Sequence, residues 1–585
     1  MASEAKPLTP TAGEAVQRTR TIGALWRDAV AVRSGTAYLV ERDGRWEEVS
    51  WAEAADQVEE LAFGLLSLGI GKGDAFGILA STRLEWALFD FALGSVGAVT
   101  APIYANNSAR DAAYVLEHSD AIGVLVEDES QREKIANLRL EHELTIADLD
   151  ELRARGRRFR ERNPGALADA GAAIGESDLF TYIFTSGTTG PPKACMITHQ
   201  NYHSMVQKLD DLQDFFTEDD VMLLYLPLAH NFGRLMHLAG PYAGYAIGFC
   251  PDPYRVVEAL PHVRPTILPS VPRVYEKVHT AIVAQFDEET GLKRKIVDWA
   301  LRVGRRASGF RAEGRPLPPT LAVQHRIADR LVYSKVKEKL GGRFRVGVSG
   351  GAPLAKEIGE FLHALDVLVL EGWGLTECTT AATVNRPDRF RFGTVGPALP
   401  GVEVKAAPDG ELLIRSDTIF AGYYKDEEAT RAVLDEDGWL RSGDVGEVDE
   451  DGFVRITDRK KDVIVTAGGK NVAPQNLENE LKASKFVSQA LVVGDRRPYL
   501  VALITLEEQE LEKWHSTGRR DVNGLVEGIV EGVNREHSRF EQIKRFAVLP
   551  RDFTMEAGEV TPTLKLKRRV CEEHFADVIE ELYAR

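Results

Sequence analysis

One stretch constrains this chain more than any other. An apolar, β-prone run at 180–184 passes directly into Thr185-Ser186-Gly187-Thr188-Thr189-Gly190-Pro191-Pro192-Lys193, and an amphipathic segment at 202–216 follows. A strand that ends in a glycine-rich loop ahead of a helix turns backbone N–H groups toward the space above the strand, and an anion, phosphate above all, suits that space. Four hydroxyls, two glycines and one lysine stand within these nine residues. The glycines allow close approach, the hydroxyls donate hydrogen bonds and the lysine supplies a point charge. The spacing is not that of a G-x-x-x-x-G-K-[ST] loop, because two prolines separate Gly190 from Lys193.

The surrounding sequence alternates buried strands with amphipathic helices. Ser50 and Glu53 form a capping-box pattern ahead of Ala55, Val58, Leu61, Ala62 and Leu65, which predicts a helix over 50–70. A strand at 75–79, a helix over 84–97, a capped segment from Ser108 and a strand at 121–126 follow. The fold class expected is α/β, with mostly parallel sheets flanked by helices. At 585 residues the chain exceeds one ordinary core. Past Gly438 the texture changes to short strands joined by turns, so a large N-terminal domain (1–458) and a small mobile C-terminal α+β domain (459–585) are expected. Residues 1–11, small and polar, read as disordered.

Charge narrows the partners. A formal net charge of −17 disfavours nucleic acid, which needs clustered cations. The helical, charge-rich region 282–340 runs against that balance: its 293–315 segment holds eight cations (Lys293, Arg294, Lys295, Arg302, Arg305, Arg306, Arg311, Arg315) and only Asp298 and Glu313 as acids. It reads either as a solvated helical face or as a docking surface for acidic lipid headgroups or anionic thioesters. Cys195, Cys250, Cys378 and Cys571 are scattered with no C-x-x-C pair, so neither zinc nor a disulfide framework is supported and a reducing cytosol fits. Apolar runs stay short of a membrane span and no signal peptide is evident, so the expectation is a cytoplasmic protein, at most peripheral on the inner membrane face.

A second motif, Glu371-Gly372-Trp373-Gly374-Leu375-Thr376-Glu377, sets a flat ring and a hard carboxylate among glycines. Such a ring can stack on a flat face and such a carboxylate can hold a hard cation. With these two motifs the chain resembles the adenylate-forming superfamily, which includes acyl-CoA synthetases, firefly-type luciferases and peptide-synthetase adenylation domains; the resemblance runs over roughly 20–580. It implies ATP, Mg²⁺ and coenzyme A. Thr185, Ser186, Gly187, Thr189 and Gly190 would then surround phosphate, with Thr188 and Lys193 serving catalysis. Trp373, where Tyr is usual, would stack on adenine near Gly351, Thr376 would contact phosphate and Glu377 would help hold Mg²⁺. Gly350, Gly374 and His230 would line the acyl side.

Later segments extend the resemblance. In Ser442-Gly443-Asp444 and Asp458-Arg459-Lys460-Lys461-Asp462, Asp444 would accept the ribose hydroxyls, Arg459 would add a donor and Lys461 would be the hinge of the small domain. In Thr561-Pro562-Thr563-Leu564-Lys565-Leu566-Lys567-Arg568, Lys565 falls at the catalytic lysine, with Lys567 its nearest competitor; Leu564 stands where Gly is usual, as in the long-chain branch. After a domain turn, Gly468, Gly469 and Lys470 would face the thioester site. Ala194 also replaces a usual Gly.

Leu226-Pro227-Leu228-Ala229-His230-Asn231-Phe232 carries no acid to pair with an amino-acid ammonium, which favours an uncharged acyl group, although His230 alone is also what a core histidine looks like. Val271-Pro272-Arg273-Val274-Tyr275-Glu276-Lys277 and Val297-Asp298-Trp299-Ala300 resemble long-chain acyl-CoA synthetases in particular. The implied reaction joins a long-chain fatty acid to AMP with pyrophosphate release, then transfers the acyl group to coenzyme A. Transfer to a carrier protein, a stop at the adenylate, luciferase-like oxidation and a silent nucleotide-binding regulator are the alternatives.

Overall fold

The computed structural model describes residues 20–185, 191–208, 212, 215–468, 470–561 and 565–584. Residues 1–11 and the loop centre at 186–190 lie outside that set.

Local sequence chemistry sets the element ends. The Ser50 hydroxyl accepts from the Glu53 N–H at 3.2 Å, and the Glu53 carboxylate accepts from the Ser50 N–H at 2.8 Å, closing the capping box. The helix Trp51–Ser67 ends short of residue 70 because Gly69 takes a left-handed φ of 84°. Strand Ala75–Ala80, helix Leu84–Val96 and strand Gly123–Val126 follow, and Ser108 caps Ala109–His118 as expected. Beyond the glycine-rich loop the helix is shorter than the amphipathic segment suggested and runs His199–Gln207.

Two largely parallel sheets carry the large lobe. One has six strands, in spatial order His142–Thr145, Gly123–Val126, Ala75–Ala80, Val99–Tyr104, Leu179–Thr185 and Lys193–Thr198, the last antiparallel to its neighbour. The other has eight strands, in which Leu368–Trp373, Val346–Ser349, Ile267–Ser270, Val221–Leu224, Ala246–Phe249 and Thr36–Arg42 run parallel between antiparallel edges. Thr185, Ser270, Ser349 and Trp373 therefore all stand at the C-terminal ends of parallel strands, where open α/β sheets bind ligands.

A four-stranded antiparallel sheet (Glu403–Ala406, Glu411–Arg415, Leu440–Val448, Val454–Arg459) follows. Short-strand texture thus begins before Gly438, and Leu412, Ile414, Leu440 and Val454 belong to the large lobe's core. Separate apolar clusters begin at Ile464 and cover a three-stranded sheet of Val487–Val493, Leu500–Leu506 and Ile543–Val548. The region 282–340 is helical as expected, built from Pro272–Glu288, Gly291–Ala312, Pro319–Ala328 and Ser334–Lys339, with a π turn at Asp329–Tyr333.

Candidate active site

The phosphate-type loop springs from a hairpin. Thr185 and Lys193 face each other in register, and the Thr185 hydroxyl donates to the Lys193 carbonyl at 3.4 Å. Ser186, Gly187, Thr188, Thr189 and Gly190 lie outside the described residues. The outgoing strand also pairs with 421–424: Met196 N–H donates to the Gly422 carbonyl at 2.9 Å, and Tyr424 N–H to that of Ala194 at 2.8 Å. That pairing brings Tyr423 under the hairpin. Its ring lies 5.0 Å from the Lys193 ammonium, and its hydroxyl donates to Glu377 Oε1 at 2.6 Å. Lys193, Tyr423 and Glu377 form one continuous wall. Burial and then the Glu377 charge push the Tyr423 phenol well up, so it stays a donor.

The turn carrying Thr376 and Glu377 is tightly held. A side chain at Gly374 would strike the Thr380 carbonyl at 2.1 Å, so only glycine fits. Thr379 and Thr380 take positive φ of 52° and 98°, costly for β-branched residues. The Thr379 hydroxyl compensates by donating to the Thr418 carbonyl at 2.6 Å. Gly374 thus shapes the turn. One Glu377 oxygen is committed to Tyr423, and among the described residues no group of three His, Cys, Asp or Glu could hold a metal ion alone. A single carboxylate suits Mg²⁺ arriving with phosphate oxygens and water as its other ligands.

Trp373 does more than present a ring. Its indole N–H donates to Asp444 Oδ2 at 2.7 Å, while Arg459 Nε lies 2.9 Å from Oδ1. Asp444 and Arg459 are register partners on adjacent strands, and Asp444 is buried. A carboxylate has about four acceptor sites, so this bracing leaves room for two hydroxyl donors. Glu411 was not foreseen from sequence. It accepts from the Gly443 N–H at 3.1 Å and from Lys460 at 3.0 Å, pinning the Ser442–Asp444 turn. A cleft of about 520 Å³ opens between Leu375, Glu377, Glu411, Tyr423 and Gly443, and a smaller one of about 330 Å³ adjoins it at Arg459, Lys460 and Lys461.

Into this region the small lobe sends Lys565. Thr561 N–H donates to the Lys565 carbonyl at 2.8 Å, Lys565 N–H donates to the Thr561 hydroxyl at 3.0 Å, and Val560 bridges Leu566. Pro562, Thr563 and Leu564 lie outside the described residues. The Lys565 ammonium comes within 4.0 Å of where a Cβ on Gly351 would stand, and Gly351 has φ 85°. Burial, then the neighbouring Arg459 cation, push the Lys565 pKa down to about 8 despite Asp444 nearby. Lys567 remains exposed.

His230 caps the helix Asn231–Ala243, its Nδ1 accepting from the Phe232 N–H at 3.2 Å. Burial, then Lys565, push its pKa down to about 3, so the ring is neutral. It is therefore a structural cap that also faces the inserted lysine. Gly350 leaves 3.2 Å to the Phe232 ring for a would-be Cβ. Glu371, held by the Leu354 N–H at 2.9 Å, is pushed up to about 7 by burial. Lys461 is exposed by surface area, and its pKa is lowered by desolvation and then by the Arg459 cation. Gly468 and Lys470 are exposed on the small lobe, and Gly469 lies outside the described residues. Tyr423 and Glu411 are the functional candidates that sequence reasoning missed, since each is defined by partners far away along the chain.

The family of AMP-binding enzymes matches residues 24–424, and the AMP-binding enzyme C-terminal domain matches 461–585. The long-chain-fatty-acid–CoA ligase FadD15 of Mycobacterium tuberculosis (strain ATCC 25618 / H37Rv) is 38% identical over 576 residues, covering 92% of this chain and 93% of its own length. The peroxisomal long chain acyl-CoA synthetase 7 of Arabidopsis thaliana is 31% identical over 619 residues, covering 95% of this chain and 85% of its own. Among solved structures, the adenylation domain of a carboxylate reductase from Mycobacterium chelonae superposes with a TM-score of 0.74 at 24% identity, covering 97% of this chain and 91% of its own. ATP-bound MatB from Rhodopseudomonas palustris gives 0.68 at 22% identity, covering 96% and 99%.

Proposed function

The chain belongs to the family of AMP-binding enzymes, and on that footing we propose that it is an AMP-forming long-chain fatty acid–CoA ligase. The observation that carries the reading is Lys565, an ammonium delivered by the small lobe to Gly351 and His230 at the strand ends of the large one. In the first half-reaction a carboxylate oxygen of the fatty acid attacks the α-phosphorus of ATP. The bond to the bridging oxygen breaks, its electron pair leaves with pyrophosphate, and acyl-AMP forms. Such chemistry depends on positioning and on neutralising charge that grows on phosphate oxygens.

In this reading Lys565 and Lys193 supply fixed cations, and Thr188 with its loop neighbours supplies donors. Glu377 would share Mg²⁺ with the nucleotide; the ion supplies further charge neutralisation when bound. Asp444, braced by Trp373 and Arg459, would hold ribose hydroxyls. In the second half-reaction the small lobe, 459–585, turns about Lys461 and withdraws Lys565. The CoA sulfur then attacks the acyl carbon, its proton goes to solvent, and AMP leaves. Gly468, Gly469 and Lys470 would then face the thioester side.

The same reading gives a membrane surface as the source of a poorly soluble acid. Four of the eight cations of 293–315 are already paired: Lys293 with Glu289, Arg294 with Asp287 and Asp298, Arg311 with Asp366 and Arg315 with Glu313. Lys295, Arg302, Arg305 and Arg306 have no ion-pair partner among the described residues. Val323, Ile327 and Leu331 form an exposed apolar stripe at helical spacing, flanked by exposed Arg326 and Arg330. No described helix is long and apolar enough to cross a membrane.

A pyrophosphate-release assay across short, medium and long-chain acids, with and without CoA, tests the proposal. Release should rise with chain length, roughly following 0.8 kcal/mol per buried methylene, and thioester should accumulate only with CoA. Release with no acid in the series, or acyl transfer to a carrier protein in preference to CoA, overturns it.

A further inference from the structure

The two lobes have separate apolar cores, yet a single helix of the large lobe reaches the small one from both its ends. Pro272–Glu288 spans about 25 Å. Near its start, Arg273 donates from Nη1 to the Ser488 carbonyl at 2.6 Å, and from Nη2 to the Ser488 hydroxyl at 2.7 Å and Glu507 Oε1 at 2.9 Å. One turn on, Glu276 accepts from Lys482 at 3.1 Å. At the far end Asp287 pairs with Lys485, and Glu288 with Lys513 at 3.3 Å. One cation and then three anions along the helix face the small lobe, and each meets its opposite there.

The socket for Arg273 is braced from within the small lobe. Ser488 is buried, and its hydroxyl donates to Asp552 Oδ2 at 2.7 Å; Thr505 donates to the other Asp552 oxygen. This shell holds Ser488, which together with Glu507 presents acceptors to the planar guanidinium fork that lysine cannot reproduce. All of these contacts are polar and most are partly wet: the side chains of Arg273 and Glu507 keep 17% and 24% exposure. Contacts of this kind exchange readily for water, whereas an apolar interface would lock the lobes together.

We propose that Arg273, seconded by Glu276, is a positioning residue for adenylate formation: it clasps the small lobe in the orientation that inserts Lys565 beside Gly351, and it releases before the thiol step. The inference rests on the two-step activity proposed above. Arg273 touches neither the cleft nor any reacting atom; it acts through Lys565.

The two half-reactions are measured separately on the full chain: ATP–pyrophosphate exchange with a long-chain acid, and acyl-CoA formation from supplied acyl-AMP. Arg273→Ala should lower kcat for exchange at least tenfold, leave KM for ATP and acid within twofold, and leave acyl-CoA formation at or above the wild-type rate. Arg273→Lys should fall between. Glu507→Gln, on the other lobe, should lower exchange several-fold, and the double variant should be no worse than Arg273→Ala alone, since both remove one contact. Parallel loss of both half-reactions, exchange within twofold of wild type in Arg273→Ala, or simple additivity of the two substitutions overturns the clasp. Absence of exchange in the wild type would sink the proposed activity itself, and the clasp with it; its presence leaves the clasp alone at stake.

Discussion

Two arginines hold this molecule together in opposite ways. Arg234 is sealed in the large lobe, where neither it nor Asp90 has any side-chain exposure. Its Nε donates to Asp90 Oδ2 at 3.0 Å and its Nη1 to the Thr181 hydroxyl at 2.6 Å, while the guanidinium lies 4.6 Å over Phe180. Thr100 gives Asp90 a further donor at 2.8 Å. Arg273 makes as many hydrogen bonds but sits in a seam that water reaches. The difference lies in what happens on separation. Parting Asp90 from Arg234 strands charge in a dry core, whereas parting Arg273 from Glu507 hands both to solvent. Thr181 lies on the strand that feeds the glycine-rich loop, and Arg234 on the helix that His230 caps. The sealed pair therefore fixes the large-lobe side of the site, and in the proposed two-step cycle the wet one would govern the part that turns.

The largest effect expected from breaking this contrast is on stability. Asp90→Ala should cost about 3–5 kcal/mol, because Arg234 is left without its counter-ion, and denaturant unfolding would measure it. Arg273→Ala should move the same midpoint far less while still splitting the half-reactions. If both variants unfold at the parental midpoint, the distinction between sealed and wet pairs has no energetic content.

Next comes the charge that the clasp delivers. Lys565→Ala should slow adenylation by about 10²–10³-fold, the scale of losing one preorganised donor, and spare acyl-CoA formation from supplied acyl-AMP. The pH dependence has a definite sign. Burial and Arg459 lower the pKa of Lys565 to about 8, so the ammonium is present below that pH and lost above it. The kcat/KM for adenylation should accordingly fall as pH rises through about 8, and Lys565→Arg should remove that limb. A flat profile to higher pH in the parent would show that the cation is not the group required.

How much of this could be read in advance depended on distance along the chain. Ser50 and Glu53 announce their helix because partners three residues apart make the cap. The strand entering the glycine-rich loop was legible for the same local reason, as was the helical character of 282–340, but the antiparallel strand Lys193–Thr198 between that loop and its helix was not. Tyr423 meets Glu377 across 46 residues of chain, Arg273 meets Glu507 across 234, and Arg234 meets Asp90 across 144. No periodicity or motif spacing carries such pairs. His230 shows another side: its place in a motif suggested an acyl contact, and what the motif did not show is that Nδ1 caps its own helix. Short-strand texture by itself does not locate the boundary between the lobes, since antiparallel strands from Glu403 onward look alike whether they pack on the large core or form a lobe of their own.

The smallest effect belongs to the outer end of the clasp helix, and it tests whether burial or mere charge does the positioning. Lys513 and Glu288 pair at 3.3 Å but keep 52% and 65% side-chain exposure, and Lys513 has Glu510 at 3.0 Å as a second partner. Exposed pairs of this kind contribute well under 1 kcal/mol and are screened by salt within about 8 Å at physiological ionic strength. Lys513→Ala should therefore change exchange by less than about twofold, and raising salt should erase even that. Arg273, with three acceptors already in place around it, should keep most of its effect at the same salt. Equal sensitivity at the two ends would mean that the lobes are held by diffuse attraction along the whole helix, and that the socket around Ser488 has no special part in aiming Lys565.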